Sequence, residues 1–143
     1  MALELASAVV IAALSFGYRS DFDLSVFDEG LLLYGSVRIG DGDVPYRDFW
    51  TTYAPGSYYL LGWVFRLFGT SVWVARLVWL GLYITVAVQT MLFARLLGGR
   101  PTGWLAFALA VSATIQVDAH SGYNVVPAVA AILSSLLVCP ESS

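Results

Sequence analysis

The feature that most constrains this chain is a run of eighteen consecutive uncharged residues, from Leu77 to Ala94. As an α-helix, this run would rise about 27 Å, which matches the hydrocarbon core of a bilayer. Charged residues make up 12% of the sequence and hydrophobic residues 59%, whereas soluble domains carry roughly 25% charge. So few charges cannot cover a water-facing surface, and the sequence therefore predicts an integral membrane protein.

Three more uncharged gaps predict further membrane helices. Two of them lie between Arg100 and Asp118 and between His120 and Glu141, and a shorter one runs from Leu5 to Tyr18. The short gap crosses a bilayer only if its helix begins near Met1, and a cleaved signal peptide is the alternative for it. The predicted spans are about 3–18, 71–96, 101–117 and 125–139.

The segment 19–70 is predicted to be a structured loop with two short helices. Ser25 to Asp28 fits a helix capping box, which predicts a helix over about 25–39. Pro45 and Pro55 disfavour helix in the residues that precede them, so an extended stretch follows. A second helix is predicted over 57–68, with aromatic residues suited to the membrane interface. The expected fold class is all-α: a polytopic membrane protein that forms one module over 1–143.

Composition excludes several other classes of protein. Seven arginines and no lysine stand against ten acidic residues, so the net charge is −3 and no basic stripe for nucleic acid exists. Cys139 is the only cysteine, which excludes a disulfide scaffold and leaves little for a zinc site. Asp41-Gly42-Asp43 could share a divalent metal but is interpreted as a turn that ends a helix. We expect no cofactor.

Charge alone leaves the orientation of the chain open. Arg95 and Arg100 lie in a short connection without an acidic residue, which the positive-inside tendency places in the cytoplasm. The other five arginines lie in or beside the long loop, so a raw count points the other way.

Five short motifs then follow one another in a recognisable order. They are Phe27-Asp28-Glu29-Gly30, Gly42-Asp43-Val44-Pro45-Tyr46-Arg47-Asp48, Tyr53-Ala54-Pro55-Gly56-Ser57-Tyr58-Tyr59-Leu60-Leu61, Arg66-Leu67-Phe68-Gly69 and Val74-Ala75-Arg76-Leu77. Over about 5–135 the chain resembles the N-terminal part of the GT-C glycosyltransferases, which include protein O-mannosyltransferases and lipid A aminoarabinose transferases. Those polytopic enzymes take a sugar from a polyprenyl-phosphate lipid.

The resemblance implies an extracytoplasmic loop 19–70 and a cytoplasmic turn between Arg95 and Arg100. It implies that Asp28 is the general base, which accepts the proton of the acceptor, and that Glu29 orients the acceptor or Asp28. The alternative is that Asp28 only stabilises the N-terminus of its helix.

The resemblance also suggests residues for binding the substrate and its phosphate. Arg47, with Tyr53 beside it, could bind the donor phosphate bidentately, or Arg47 could instead pair with Asp48 or Asp43 on a solvated loop. The aminoarabinose transferases have a lysine before a Pro-Pro turn where this chain has Tyr53-Ala54-Pro55.

Asp118 and His120, in the second extracytoplasmic turn, could hydrogen-bond the acceptor or the lipid phosphate. An exposed polar turn is the alternative for both residues. The long loop also contains five aromatic residues, namely Trp50, Tyr53, Tyr58, Tyr59 and Trp63. We expect them to form a belt at the lipid headgroups, and stacking on a sugar is the alternative.

The expected function is transfer of a sugar from a polyprenyl-phosphate donor to an acceptor at the extracytoplasmic membrane face. GT-C enzymes have more spans than these four. We therefore expect this chain to be a fragment that is completed by further spans or by a partner chain. The expected partners are the lipid bilayer and the polyprenyl-phosphate sugar lipid, with no nucleic acid. The alternative is a small, non-catalytic helical membrane scaffold or assembly subunit.

Overall fold

The computed structural model describes residues 2–17, 28–51, 53–116, 129, 130, 132–134 and 136. The named helices within these ranges are α1 (Ala2–Gly17), α2 (Asp28–Gly40), α3 (Pro55–Phe68) and α4 (Val72–Gln116). Across these ranges the only β pairing is an isolated bridge between Pro45 and Phe49. The predicted all-α class is therefore confirmed.

Helix α4 is broken at Gly99 and doubles back on itself. Gly99 has φ 80° and ψ −171°, a backbone conformation that glycine adopts at little cost. Pro101 follows, and its fixed φ suits the start of a new helical segment. A Cβ added at Gly103 would lie 2.9 Å from the carbonyl oxygen of Met91, so the two arms, 72–98 and 100–116, pack closely against each other.

Helix α1 packs on α4 through small residues. Ala8 and Ala12 are both fully buried, and they lie one turn apart on the same face of α1. The first arm of α4 buries a stripe of residues at four-residue spacing, namely Ala75, Trp79, Tyr83, Ala87 and Met91. Small side chains on α1 let the two backbones approach closely, as in helix pairs within membranes.

Part of α4 is long and apolar enough to cross a membrane. By length and composition this holds for Val72–Ser112, and Ala2–Ser15 is a shorter apolar helix. In the most apolar window of Val72–Ser112, 22% of the residues are buried inside the chain. A helix at the core of a soluble protein is instead covered on most sides, so this segment supports a membrane location.

Helices α2 and α3 form a second, closely packed pair. Gly35 on α2 lies against the ring of Tyr58, and Gly62 on α3 lies against the backbone carbonyl of Ser36. Tyr58 is fully buried at this contact, and its hydroxyl shares a 2.6 Å hydrogen bond with the hydroxyl of Thr51. The expectation that Tyr58 belongs to the aromatic belt was therefore wrong, because the missing side chain of Gly35 leaves room for its ring against α2.

The helix boundaries differ slightly from those predicted. Helix α2 begins at Asp28 and ends at Gly40, and residues 25–27 of the predicted helix lie outside the described residues. Helix α3 begins at Pro55, two residues before the predicted start, because proline is well suited to the first helical position.

The close packing of α2 on α3 predicts that Gly62→Ala destabilises the protein. The new methyl group would lie 2.9 Å from the carbonyl oxygen of Ser36 and 3.2 Å from the Ile39 side chain. We expect a loss of about 1–3 kcal/mol in the free energy of unfolding, measured by denaturant titration in mixed micelles. Gly56→Ala, on the same helix with no atom within 4 Å, is the control and should be neutral or stabilising by up to about 1 kcal/mol. Equal effects of the two substitutions would contradict the packing described.

Candidate functional site

Glu29, the second of the two adjacent acidic residues Asp28 and Glu29, forms a buried ion pair with Arg76. The guanidinium of Arg76 donates from Nε to Glu29 Oε1 over 3.1 Å and from Nη2 to Oε2 over 3.3 Å. The side chain of Glu29 is 2% exposed and that of Arg76 14%. This bidentate contact fixes both the distance and the relative orientation of the two side chains. It therefore joins the start of α2 to the start of α4.

Local structure explains how the two side chains meet. Glu29 is the second residue of α2, and Arg76 lies about one turn into α4. The indole of Trp73 lies one turn before Arg76 on α4, and the guanidinium carbon is 5.7 Å from its ring centroid. A cation over an aromatic face is stabilised by the ring quadrupole, so Trp73 helps to hold the guanidinium in place for Glu29.

A second charged cluster joins α1 to the turn of α4. Glu4 accepts from Arg95 Nη1 over 2.9 Å and from Arg100 Nε over 2.9 Å. This contact places the N-terminus of α1 beside the turn at Gly99, as the apolar packing of α1 along α4 also requires.

The two clusters lie at opposite ends of the first arm of α4. Arg95 lies nineteen positions after Arg76 along this arm, a helical rise of about 28 Å. This length is close to the hydrocarbon thickness of a bilayer, roughly 30 Å. Glu29 therefore lies at one end of the apolar bundle, and the turn between Arg95 and Arg100 lies at the other.

The loop between α2 and α3 is held by a second set of charges. Arg47 lies 2.7 Å from Asp48 through Nη2, which is the ion pair that the sequence left open as the alternative to phosphate binding. Arg47, together with the backbone N–H of Val44, lowers the pKa of Asp48 to about 2. Asp43 instead pairs with Arg38 at 2.6 Å.

The remaining predicted residues fall into two groups. Tyr53 is partly buried, and its carbonyl accepts a 2.7 Å hydrogen bond from the Tyr46 hydroxyl. Asp118, His120 and the side chain of Asp28 lie outside the described residues. Among the described residues no group of three or more His, Cys, Asp or Glu side chains could hold a metal ion.

The comparisons with known proteins bring no further information about this site. No family model, no curated protein and no solved structure matches the chain.

Sequence reasoning named Glu29 but gave no role to its partner. Arg76 was part of a recognised motif, yet it lies 47 residues away from Glu29 in the chain. The available signal was its position at the edge of an uncharged span: a cation there needs a counter-ion near the membrane surface. The same reasoning would have linked Glu4 with Arg95.

The buried pair predicts strong coupling between Glu29 and Arg76. Glu29→Gln removes the carboxylate that Arg76 contacts, and removing one partner of a largely buried hydrogen-bonded pair costs about 1–3 kcal/mol. The double variant Glu29→Gln/Arg76→Gln should lose less than the sum of the two single losses, measured by denaturant titration in mixed micelles. Arg47→Gln, which breaks the exposed pair on the loop, is the control and should stay close to the wild type. Additive losses from the two single substitutions would contradict the pairing.

Proposed function

We propose that this chain is the catalytic-loop module of a GT-C-like membrane glycosyltransferase. In this proposal it transfers a sugar from a polyprenyl-phosphate lipid to a hydroxyl-bearing acceptor at the outer face of the plasma membrane. The observation that carries the proposal is the buried Glu29–Arg76 pair. This pair fixes the start of α2, with Asp28 as its first residue, at the end of the bundle remote from the Arg95–Arg100 turn.

The proposed membrane arrangement has four spans, and three geometric features support it. The two charged clusters are separated by about one bilayer thickness along α4. Gly99 divides α4 into two antiparallel arms, as two successive spans require. Gln89, within the first arm, donates a 2.6 Å hydrogen bond to Ser134, and residues at 129–136 are helical where described. The fourth span would therefore pack against the first arm of α4.

The resemblance to the GT-C enzymes orients the bundle in this proposal, because charge alone leaves the orientation open. The Arg95–Arg100 turn carries two arginines against the single carboxylate of Glu4, and it lies in the cytoplasm. The Glu29–Arg76 pair and the loop between α2 and α3 lie outside. This side is where a lipid-linked sugar presented at the outer face would meet Asp28.

In the proposed reaction, the carboxylate of Asp28 accepts the proton of the acceptor hydroxyl. The acceptor oxygen attacks the anomeric carbon of the sugar and forms the new glycosidic bond. The bond from this carbon to the phosphate oxygen breaks, and the polyprenyl phosphate leaves with the electron pair. One carboxylate suffices, because phosphate is a good leaving group that needs no protonation by an acid.

Glu29 acts in this scheme as a positioning residue. Its carboxylate is engaged on both oxygens by Arg76 and is 2% exposed, so it has little surface to offer a substrate. Its contribution is to hold the first turn of α2 and hence the backbone of Asp28. Arg47, Tyr53, Asp118 and His120 remain the predicted contacts for acceptor or phosphate.

The burial of Glu29 also favours a second candidate function. A buried ion pair that joins two helices is sufficient reason for both residues in a non-catalytic scaffold or assembly subunit. The two functions differ in what they require of Asp28, since a scaffold needs no base.

Substitution of Asp28 separates the two candidate functions. In the longest reading frame that contains this chain, Asp28→Asn should lower sugar transfer by about 10²–10⁴-fold, the usual contribution of a general base. Transfer is measured with a radiolabelled polyprenyl-phosphate sugar in membranes, and insertion is checked by extraction resistance. Asp41→Asn, an exposed carboxylate at the other end of α2, should retain transfer. Full activity of Asp28→Asn, or no transfer by the parent, would favour the scaffold.

A further inference from the structure

Arg66 differs from the other arginines that the structure describes. Five of the six contact a carboxylate within 4.0 Å, namely Arg38, Arg47, Arg76, Arg95 and Arg100. Arg66 instead donates from Nε and Nη2 to the carbonyl oxygen of Gly40, over 3.2 and 2.8 Å. In the described part of the chain it has no carboxylate partner, so its positive charge is available to an anion from outside.

This cation lines a cavity of about 590 Å³ between the end of α2, the turn after it and α3. The apolar lining comes from Ile39, Tyr59, Leu60 and Trp63. Tyr59 is 46% exposed and Trp63 is 64% exposed, so the aromatic side chains stand at the mouth of the cavity. A cavity with apolar walls and one convergent charge is the usual form of a small-molecule site.

Arg66 is the lining side chain whose charge is not paired with an opposite charge among the described residues. Asp43 also lines the cavity, but the carboxylate of Asp43 is neutralised by Arg38 at 2.6 Å. The two hydrogen bonds to Gly40 hold the Arg66 guanidinium in one orientation, so little side-chain entropy is lost when it binds a ligand. The Nη1 group has no hydrogen-bond partner among the described residues and remains a donor.

We propose that this cavity binds the headgroup of an anionic phospholipid of the outer leaflet. The phosphate accepts hydrogen bonds from Arg66, and the first part of an acyl chain lies along Leu60 and Trp63. The proposal rests on the membrane placement given above. It concerns a site separate from the acidic pair, because Gly40 lies eleven positions after Glu29 on α2, a rise of about 16 Å.

Two features favour a lipid over a soluble anion. The walls are apolar and aromatic, which suits a molecule with an acyl chain, and tryptophan and tyrosine at the rim are typical of side chains at the headgroup level. A single arginine near an anionic membrane surface contributes about a fivefold preference for anionic lipid.

The experiment uses the full chain in vesicles of phosphatidylcholine with one fifth phosphatidylglycerol. Bromine quenchers are placed either on the phosphatidylglycerol or on an equal amount of phosphatidylcholine, so both vesicles have the same composition. The contribution of Trp63 is the difference in tryptophan fluorescence between the wild type and Trp63→Phe. We expect Trp63 to be quenched about fivefold more effectively by the brominated anionic lipid.

Variants of Arg66 separate charge from structure. Arg66→Lys keeps the positive charge without the planar guanidinium and should keep most of the preference for the anionic lipid. Arg66→Gln should abolish this preference while leaving the circular dichroism spectrum unchanged. If Arg66→Gln does not fold, the salt dependence of the wild type serves instead: high salt should weaken the preference without changing quenching by the zwitterionic lipid.

Three results would overturn the proposal. Equal quenching by the two brominated lipids would leave an interfacial surface without a headgroup site. No quenching of Trp63 by either lipid would remove this face from the membrane and would also count against the membrane placement. Loss of the preference on addition of millimolar glycerol phosphate would show a site for soluble phosphate. If the protein transfers sugar but Trp63 shows no preference for the anionic lipid, the lipid-site proposal fails and the proposed function stands. The failure of one proposal can therefore be distinguished from the failure of the other.

Discussion

The arrangement of this chain depends on neutralising its few charges at the two ends of an apolar bundle. Glu29 meets Arg76 at one end, and Glu4 meets Arg95 and Arg100 at the other. An unpaired charge is costly in a poorly hydrated environment, so each cluster selects one register of the helices. The Glu29–Arg76 pair has the larger consequence, because it connects the loop helix α2 to the long helix α4.

The loop unit of α2 and α3 is organised by a different kind of contact. Gly35 and Gly62 allow the two helices to touch: the ring of Tyr58 lies against Gly35, and the backbone of Ser36 and the side chain of Ile39 lie against Gly62. Since core packing is dense, this pair acts as one body. The ion pair at the start of α2 and the Arg66 cavity at its end therefore keep a fixed separation, and a ligand at one site need not disturb the other.

The sequence predicted most of the secondary structure correctly. The eighteen uncharged residues between Arg76 and Arg95 correctly predicted an apolar helix, and the proline at 55 marked the start of α3. These features are local: charge gaps, prolines and glycines act within a few residues of themselves.

What the sequence did not predict depends on contacts between distant residues. The partner of Glu29 lies on another helix, and nothing local to either residue identifies it. Tyr58 and Tyr59 are neighbours with the same side chain, yet one is fully buried and the other is 46% exposed. Only the packing partner of α3 decides between them. Arg66 likewise differs from the other described arginines only in its contact, the carbonyl oxygen of Gly40 on another helix.

The most direct test of the account is the sidedness of the two ends of the bundle. In a Cys139→Ser background, a cysteine is introduced at Asp41 in the loop or at Leu97 in the turn, both of which are exposed. Intact cells are treated with a membrane-impermeant maleimide before and after permeabilisation. The account predicts that Asp41→Cys reacts in intact cells and that Leu97→Cys reacts only after permeabilisation. Reaction of both cysteines from the same side would contradict it.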